Sequence, residues 1–159
     1  MSSKSQTQII DEAIQKQKED RDKPDHQSHD FVNDLVIYLE DFDFQGKILR
    51  PSSAEPNKLY IVLIFADWCG HCKHFIPEIK ELSEMLANEK DVRLCCIDCS
   101  PNNVRPSQVA LSKRVGSLVD GFQGFPTVVL YKEGEKKATY EGKRKAQNVL
   151  EFIQNSKHN

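Results

Sequence analysis

The sequence has no apolar run that approaches the roughly 20 residues a membrane-spanning helix needs. It also has no excess of one charge: 22 lysines and arginines stand against 24 aspartates and glutamates, giving a formal net charge of −2 at pH 7. Without a strong positive field, the chain has no general attraction for nucleic acid or for an anionic membrane. We therefore predict neither as a partner, and the 159 residues suit one domain with a sizeable core.

Two targeting signals are missing from the ends of the chain. The first ten residues, MSSKSQTQII, lack the apolar core of a signal peptide. The last four, Ser156 to Asn159, do not form a retention tail of the KDEL type. We therefore expect a soluble, intracellular protein and leave the compartment open.

The beginning of the chain also has few large apolar side chains. We predict a polar N-terminal extension over residues 1–30 and a folded domain over residues 31–159. The extension is either flexible or helical. In the second case a short apolar stripe is formed by Ile9, Ile10, Ala13 and Ile14.

The five cysteines cannot all pair within the chain, because an odd number leaves at least one free thiol. Cys69 and Cys72 are separated by two residues, and the other three are Cys95, Cys96 and Cys99. This grouping is not that of a disulfide scaffold and indicates a reducing compartment. Neighbouring side chains of a strand point to opposite faces, so we expect Cys95 and Cys96 to be small buried core residues.

The Cys69 and Cys72 pair lies where a predicted strand passes into a predicted helix. Residues 59–65 are an unbroken apolar run, typical of a strand buried on both faces, and residues 73–88 have helical spacing. The free N–H groups and dipole of a helix N-terminus favour negative charge, and so favour the nucleophilic thiolate. We expect Cys69 at the exposed end as the attacking thiol and Cys72 one turn inside as the resolving thiol.

Three motifs resemble one known family. The segment from Trp68 to Lys73, WCGHCK, resembles the active-site motif of protein disulfide isomerase domains in the thioredoxin superfamily. Residues 124–127, GFPT, resemble the family's Gly-x-Pro-Thr, whose proline is cis and faces the dithiol, and Pro77 matches the proline of its active-site helix. The resemblance extends from about residue 36 to residue 153. It implies an α/β thioredoxin fold, with a central mixed β-sheet flanked by helices on both faces, here with an N-terminal extension.

The resemblance also implies a function. It is that of a protein disulfide oxidoreductase or isomerase, which exchanges disulfides with protein or peptide thiols through Cys69 and Cys72. No cofactor is implied, and neither the redox partner nor the oligomeric state is specified. His71 stabilises the Cys69 thiolate in this interpretation. The residues implied to face the substrate are Trp68, Gly70, Phe125 and the cis residue Pro126.

One further position has two interpretations. Arg144 matches an arginine that in isomerase domains swings towards the resolving cysteine, where it favours the thiolate. The alternative is a solvated member of the basic run Lys143-Arg144-Lys145.

The chain departs from the family at a buried charged pair. The family carries an acid six residues before the first active-site cysteine, where this chain has Leu63, and isomerase domains often carry a lysine where it has Cys96. Losing both charges avoids an unpaired buried ion. It also removes the proton acceptor of the resolving thiol, so we expect slow attack by Cys72 and long-lived mixed disulfides.

The remaining elements follow from periodicity and turn residues. Residues 100–121 are longer than the family usually has: a loop, a short helix from Ser107 to Val115 capped by Ser107, then an extended loop over 116–124. This insertion either shapes substrate choice or is a tolerated surface feature. We also predict strands at 36–39, 92–98, 127–131 and 138–140, the start of a helix at 40–44, a loop at 50–57 and a terminal helix at 146–156.

Two other classes of function remain open. One is a non-catalytic interaction module with a thioredoxin fold. The other is a zinc site with ligands from Cys69, His71, Cys72 and His74. No second CxxC-like pair stands at zinc-ribbon spacing, so we expect no metal.

Overall fold

The computed structural model describes residues 5–9, 12, 35–50 and 58–157. Most of the predicted extension, and the loop predicted at 50–57 apart from Arg50, lie outside these residues. Residues 6–9 are helical, and Ile9 is 54% exposed. None of the helices in the described ranges is long and apolar enough to cross a membrane.

A mixed sheet of five strands forms the centre of the fold, in the order β1-β5-β4-β6-β7. Strand β4 runs parallel to β5 and antiparallel to β6. All seven residues of β4 are buried, which explains its unbroken apolar sequence. The strands are β1 (Ile37–Tyr38), β4 (Leu59–Phe65), β5 (Val92–Asp98), β6 (Thr127–Lys132) and β7 (Glu135–Thr139).

Helices cover both faces of the sheet, so the predicted thioredoxin fold class is confirmed. Helices α1 (Gly70–Met85) and α4 (Ala146–Lys157) bury their apolar sides in one core cluster. Helices α2 (Pro106–Ser112) and α3 (Val115–Leu118) contribute to a second cluster. Cys95 belongs to the second cluster and Cys96 to the first, because adjacent strand residues point to opposite faces.

The prediction that residues 40–44 open a helix is wrong. They form a 3₁₀ turn (Asp41–Asp43), which leads into a hairpin of β2 (Phe44–Gln45) and β3 (Ile48–Leu49). Gly46 has a φ of +59° and supplies the left-handed residue at the hairpin turn. The hairpin buries Phe44 against Tyr131, with ring centroids 6.0 Å apart, so packing on the sheet outweighs local helix propensity.

The prediction for the insertion is partly wrong as well. The helix begins at Pro106, whose fixed φ suits a first helical position, and Arg105 stands at the N-cap. Ser107 is not the N-cap of this helix. Its hydroxyl instead accepts the N–H of Asp41 at 3.0 Å. A second helix, α3, occupies part of the predicted extended loop, where burial of Val115 and Leu118 stabilises it.

Leu63 and Cys96 face each other across β4 and β5. They are register partners in the parallel ladder, both are about 99% buried, and both belong to the same core cluster. The two positions that carry charges in the family are therefore adjacent in a dry part of this core.

We predict that Leu63→Glu lowers the free energy of unfolding by about 3–5 kcal/mol, because it buries an uncompensated carboxylate. Adding Cys96→Lys should restore a large part of this loss, since the ammonium group lies on the same face. Urea unfolding at pH 7 measures both effects.

Cys95→Lys is the matched control, because Cys95 is equally buried but points to the opposite face. Leu63→Glu combined with Cys95→Lys should be less stable than Leu63→Glu alone. Equal recovery with either lysine would contradict the adjacency.

Candidate active site

Cys69 is the N-cap residue of α1. Its backbone is extended, with φ −82° and ψ 117°, and its Sγ accepts the N–H of Cys72 at 3.3 Å. The sulfur thus occupies the place that a serine or aspartate oxygen takes at an ordinary N-cap. A negative charge on this sulfur is stabilised by the N–H group and by the positive end of the helix dipole.

The two cysteines are more buried than the sequence predicts. Cys69 is 6% exposed and Cys72 is 1% exposed. Cys69 is thus the more exposed of the two, as predicted, but the prediction that it lies at an exposed end is wrong. Cys69 is covered because its thiol lies 3.6 Å from the carbonyl oxygen of Phe125, to which it donates. Both cysteines are free thiols in this structure.

The loop before β6 forms the wall that faces Cys69. The peptide bond between Phe125 and Pro126 is cis, as the resemblance implies. The Thr127 hydroxyl donates to the carbonyl of Gly124 at 2.5 Å, and Gly124 has a φ of +136°, which favours glycine. This arrangement turns the carbonyl of Phe125 towards the dithiol.

Three aromatic rings, which we call the aromatic row, extend from the dithiol: Trp68, Phe125 and Phe122. The centroids of Trp68 and Phe125 are 5.8 Å apart and those of Phe122 and Phe125 are 5.5 Å apart, both with edge-to-face geometry. Trp68 remains 62% exposed, so the row offers an apolar surface beside Cys69. Sequence reasoning missed Phe122, although its position between Gly121 and Gly124, just before the proline, was a usable signal.

Cys72 is a poor nucleophile in this environment. Burial raises the pKa of its thiol to about 12, and the hydrogen bond with Cys69 acts in the same direction. A backbone hydrogen bond at Ala66 and, more weakly, the Arg144 guanidinium lower this pKa. No carboxylate replaces the family's acid at Leu63. Arg144 is therefore the side-chain charge that favours the Cys72 thiolate.

The loop that carries Arg144 is fixed to α1. The carboxylate of Glu78 accepts the N–H of Ala146, the first residue of α4, at 3.1 Å. A carboxylate at this place also interacts favourably with the dipole of α4. No local pattern predicts this contact, because the two residues are 68 positions apart.

The remaining predicted site residues lie in the first turn of α1. His71 and Gly70 are both exposed. A Cβ atom on Gly70 would meet nothing within 4 Å, so no close approach requires glycine at this position. Both residues stand between the two cysteines, as their motif requires.

The other histidine and cysteine side chains do not add to the site. Among the described residues, no group of three or more histidine, cysteine, aspartate or glutamate side chains is arranged to hold a metal ion. Cys95 and Cys96 are fully buried core residues, and burial raises the pKa of the half-buried Cys99 to about 12. These three thiols are therefore not activated nucleophiles.

The family model described as thioredoxin matches residues 36–155. The chain belongs to the thioredoxin family. The protein disulfide-isomerase of Saccharomyces cerevisiae is 35% identical over 120 residues, which cover 74% of this chain and 20% of that protein. The thioredoxin of Rickettsia typhi is 31% identical over 122 residues, which cover 77% of this chain and 99% of that protein. The chain thus spans about a fifth to a quarter of the length of the isomerases it matches and nearly all of the thioredoxin.

Solved structures agree on the fold. Human ERp44 aligns with a TM-score of 0.57 and 19% identity over 80% of this chain and 30% of that chain. The Trx4 domain of ERdj5 aligns with a TM-score of 0.52 and 23% identity over 77% of this chain and 95% of that chain. At these identities the likeness establishes the thioredoxin fold and nothing finer.

We predict that release of product from a mixed disulfide on Cys69 accelerates about tenfold for each pH unit from 7 to 9. Burial, the largest cause of the raised pKa of Cys72, persists when Cys69 is in the mixed disulfide, so the thiolate fraction is small at pH 7 and grows with pH over this whole range. Arg144→Ala should slow release about three- to tenfold at each pH, and Arg144→Lys should slow it less. Quenched-flow mass spectrometry of a single turnover measures the rate.

Arg93→Ala is the matched control, since this half-buried arginine lies near the start of β5, at the opposite end from Asp98. It should leave the release rate within a factor of two of that of the unmodified protein. A release rate independent of pH between 7 and 9 would show that deprotonation of Cys72 does not limit the step.

Proposed function

We propose that this protein is a thiol–disulfide oxidoreductase of the protein disulfide isomerase type, which acts on protein or peptide substrates through Cys69 and Cys72. One observation carries the proposal: the Cys69 sulfur caps α1, 3.3 Å from the N–H of Cys72 and 3.6 Å from the carbonyl of Phe125. A nucleophilic sulfur is thereby held beside both its resolving partner and a backbone carbonyl. Membership of the thioredoxin family supports the same class of reaction.

The reaction is a pair of thiol–disulfide exchanges. The Cys69 thiolate attacks one sulfur of a substrate disulfide, the substrate S–S bond breaks, and the other substrate sulfur leaves as a thiolate. The Cys72 thiolate then attacks the Cys69 sulfur, which forms the Cys69–Cys72 disulfide and releases the reduced substrate. The reverse sequence oxidises a dithiol substrate, and a second thiol or disulfide partner resets the enzyme.

Two features favour isomerase behaviour over plain reduction. His71, when protonated, stabilises the thiolate form of the reduced pair, which raises the reduction potential. The raised pKa of Cys72 slows its attack and so lengthens the life of the mixed disulfide in which a substrate rearranges. Relatives of both kinds match the chain, so this finer assignment depends on these residues.

We predict that Cys69→Ser abolishes reduction of insulin disulfides, with a loss of at least about 100-fold, because the attacking thiolate is gone. Cys72→Ala should instead accumulate a mixed disulfide between Cys69 and the substrate, visible by non-reducing electrophoresis. Turbidity of the released insulin B chain measures the first effect.

Cys95→Ala is the control for loss of a thiol, because Cys95 is buried in the opposite core cluster. It should retain insulin reduction as long as it remains folded by circular dichroism. Equal activity in the unmodified protein and in Cys69→Ser would assign the chain to a non-catalytic interaction module.

The reduction potential should lie nearer the isomerase value of about −180 mV than the thioredoxin value of about −270 mV. His71→Pro removes the imidazole that lies between the two cysteines in the first turn of α1, so we expect its potential to fall by at least about 30 mV. Equilibration with glutathione buffers, followed by alkylation and mass spectrometry, measures both values. A potential of the unmodified protein at or below that of thioredoxin would instead indicate a plain reductase.

A further inference from the structure

Exposed basic side chains stand close to Cys72 and to Arg144 along the chain. All of them lie within two residues of Cys72 or of Arg144, in the first turns of α1 or in the loop before α4. We call them the basic surface: His71, Lys73, His74, Lys143, Arg144 and Lys145.

Two hydrogen bonds hold the loop part of the basic surface, residues 143–145, in place beside α1. The bond from Ala146 to Glu78 fixes one end of the loop on the helix. The Tyr140 hydroxyl donates to the carbonyl of Lys143, which fixes the other end. Ala146, which follows Lys145, packs in the same core cluster as Cys72, so the loop runs beside α1.

These basic side chains are not paired with neighbouring acids. Within the described part of the chain, none of the six forms an ion pair, whereas Arg114, Lys47 and Lys157 are each bound to carboxylates at 2.7–3.3 Å. The carboxylate of Glu78 accepts a backbone N–H, while Asp67 is half-buried and Glu141 is exposed. The N-terminus of α1 adds to the positive potential, although the whole chain has a net charge of −2.

An apolar surface and a basic one are therefore both next to the dithiol. We propose that a substrate segment crosses the dithiol with acidic side chains against the basic surface, so that the protein prefers protein disulfides flanked by aspartate or glutamate. This inference rests on the proposed function, and it names the class of substrate for the same site. The occupant is an acidic polypeptide segment, because charge complementarity steers an anionic segment to this surface, and the aromatic row beside Cys69 accepts an apolar side chain of the same segment.

The test uses three peptides of equal length, each with one cysteine activated as a disulfide with neutral 2-thiopyridine. The residues beside the cysteine are glutamate, glutamine or lysine. Attack by Cys69 on the peptide sulfur breaks the disulfide and releases 2-thiopyridone, whose absorbance gives a second-order rate constant. At low salt we expect the glutamate peptide to react about tenfold faster than the lysine peptide, with the glutamine peptide between them. At 0.5 M salt the ratio should fall below about twofold, since screening acts on exposed charges.

Lys143→Glu combined with Lys145→Glu should reduce the glutamate-to-lysine ratio to about one or below. The matched control, Lys90→Glu with Lys132→Glu, makes the same change of charge at the far end of the molecule. Lys90 follows α1 and Lys132 faces the first residue of β4. The control should keep most of the tenfold ratio, because a helix the length of α1 spans about 24 Å and the interaction between charges weakens with distance.

Equal rates for the glutamate and lysine peptides at low salt would overturn the inference while leaving the proposed function intact. So would a ratio that survives reversal of both loop charges. If no peptide releases 2-thiopyridone faster with the unmodified protein than with Cys69→Ser, the proposed function itself fails.

Discussion

The site depends on the hydrogen bond from the Cys72 N–H to the Cys69 sulfur, because this bond fixes where α1 begins. The strand before it cannot shift, since all seven residues of β4 are buried between β5 and β6. Further backbone bonds hold the connection: the N–H of Cys69 donates to Ala66 at 3.2 Å, and the N–H of Cys99 donates to Phe65 at 2.8 Å. The sulfur is therefore positioned by the sheet and activated by the helix.

The same core that positions the dithiol limits its chemistry. Leu63 and Cys96, both buried and uncharged, occupy the positions of the family's charged pair. The core therefore holds no buried ion at these positions that would need a partner. Without an internal acid, two groups favour the Cys72 thiolate: the backbone at Ala66 and the Arg144 guanidinium, which a surface loop carries. We therefore expect attack by Cys72, the second exchange step, to be the slow one.

The elements that could be predicted from the sequence are those specified by local pattern. Strand β4 and helix α1 follow from an apolar run and a helical period, and the GFPT motif identifies the loop before β6. The failures depend on distant contacts that no local pattern encodes. The role of Ser107 depends on Asp41, 66 positions away, and the hairpin in place of the first helix depends on packing against Tyr131.

These failures cluster on one face of the sheet. The hairpin, α2 and α3 all cover the second core cluster, and Arg114 connects them through Asp41 at 2.7 Å and the carbonyl of Gly46 at 3.1 Å. The face covered by α1 and α4 keeps the arrangement that the motifs imply. Each face contributes a different part of the site. The face with α1 contributes the two thiols, and the other face contributes Phe122 of the aromatic row, from the segment after α3. Because Phe125 packs against both Phe122 and Trp68, the face covered by the hairpin, α2 and α3 is connected to the aromatic row beside Cys69 by ring contacts.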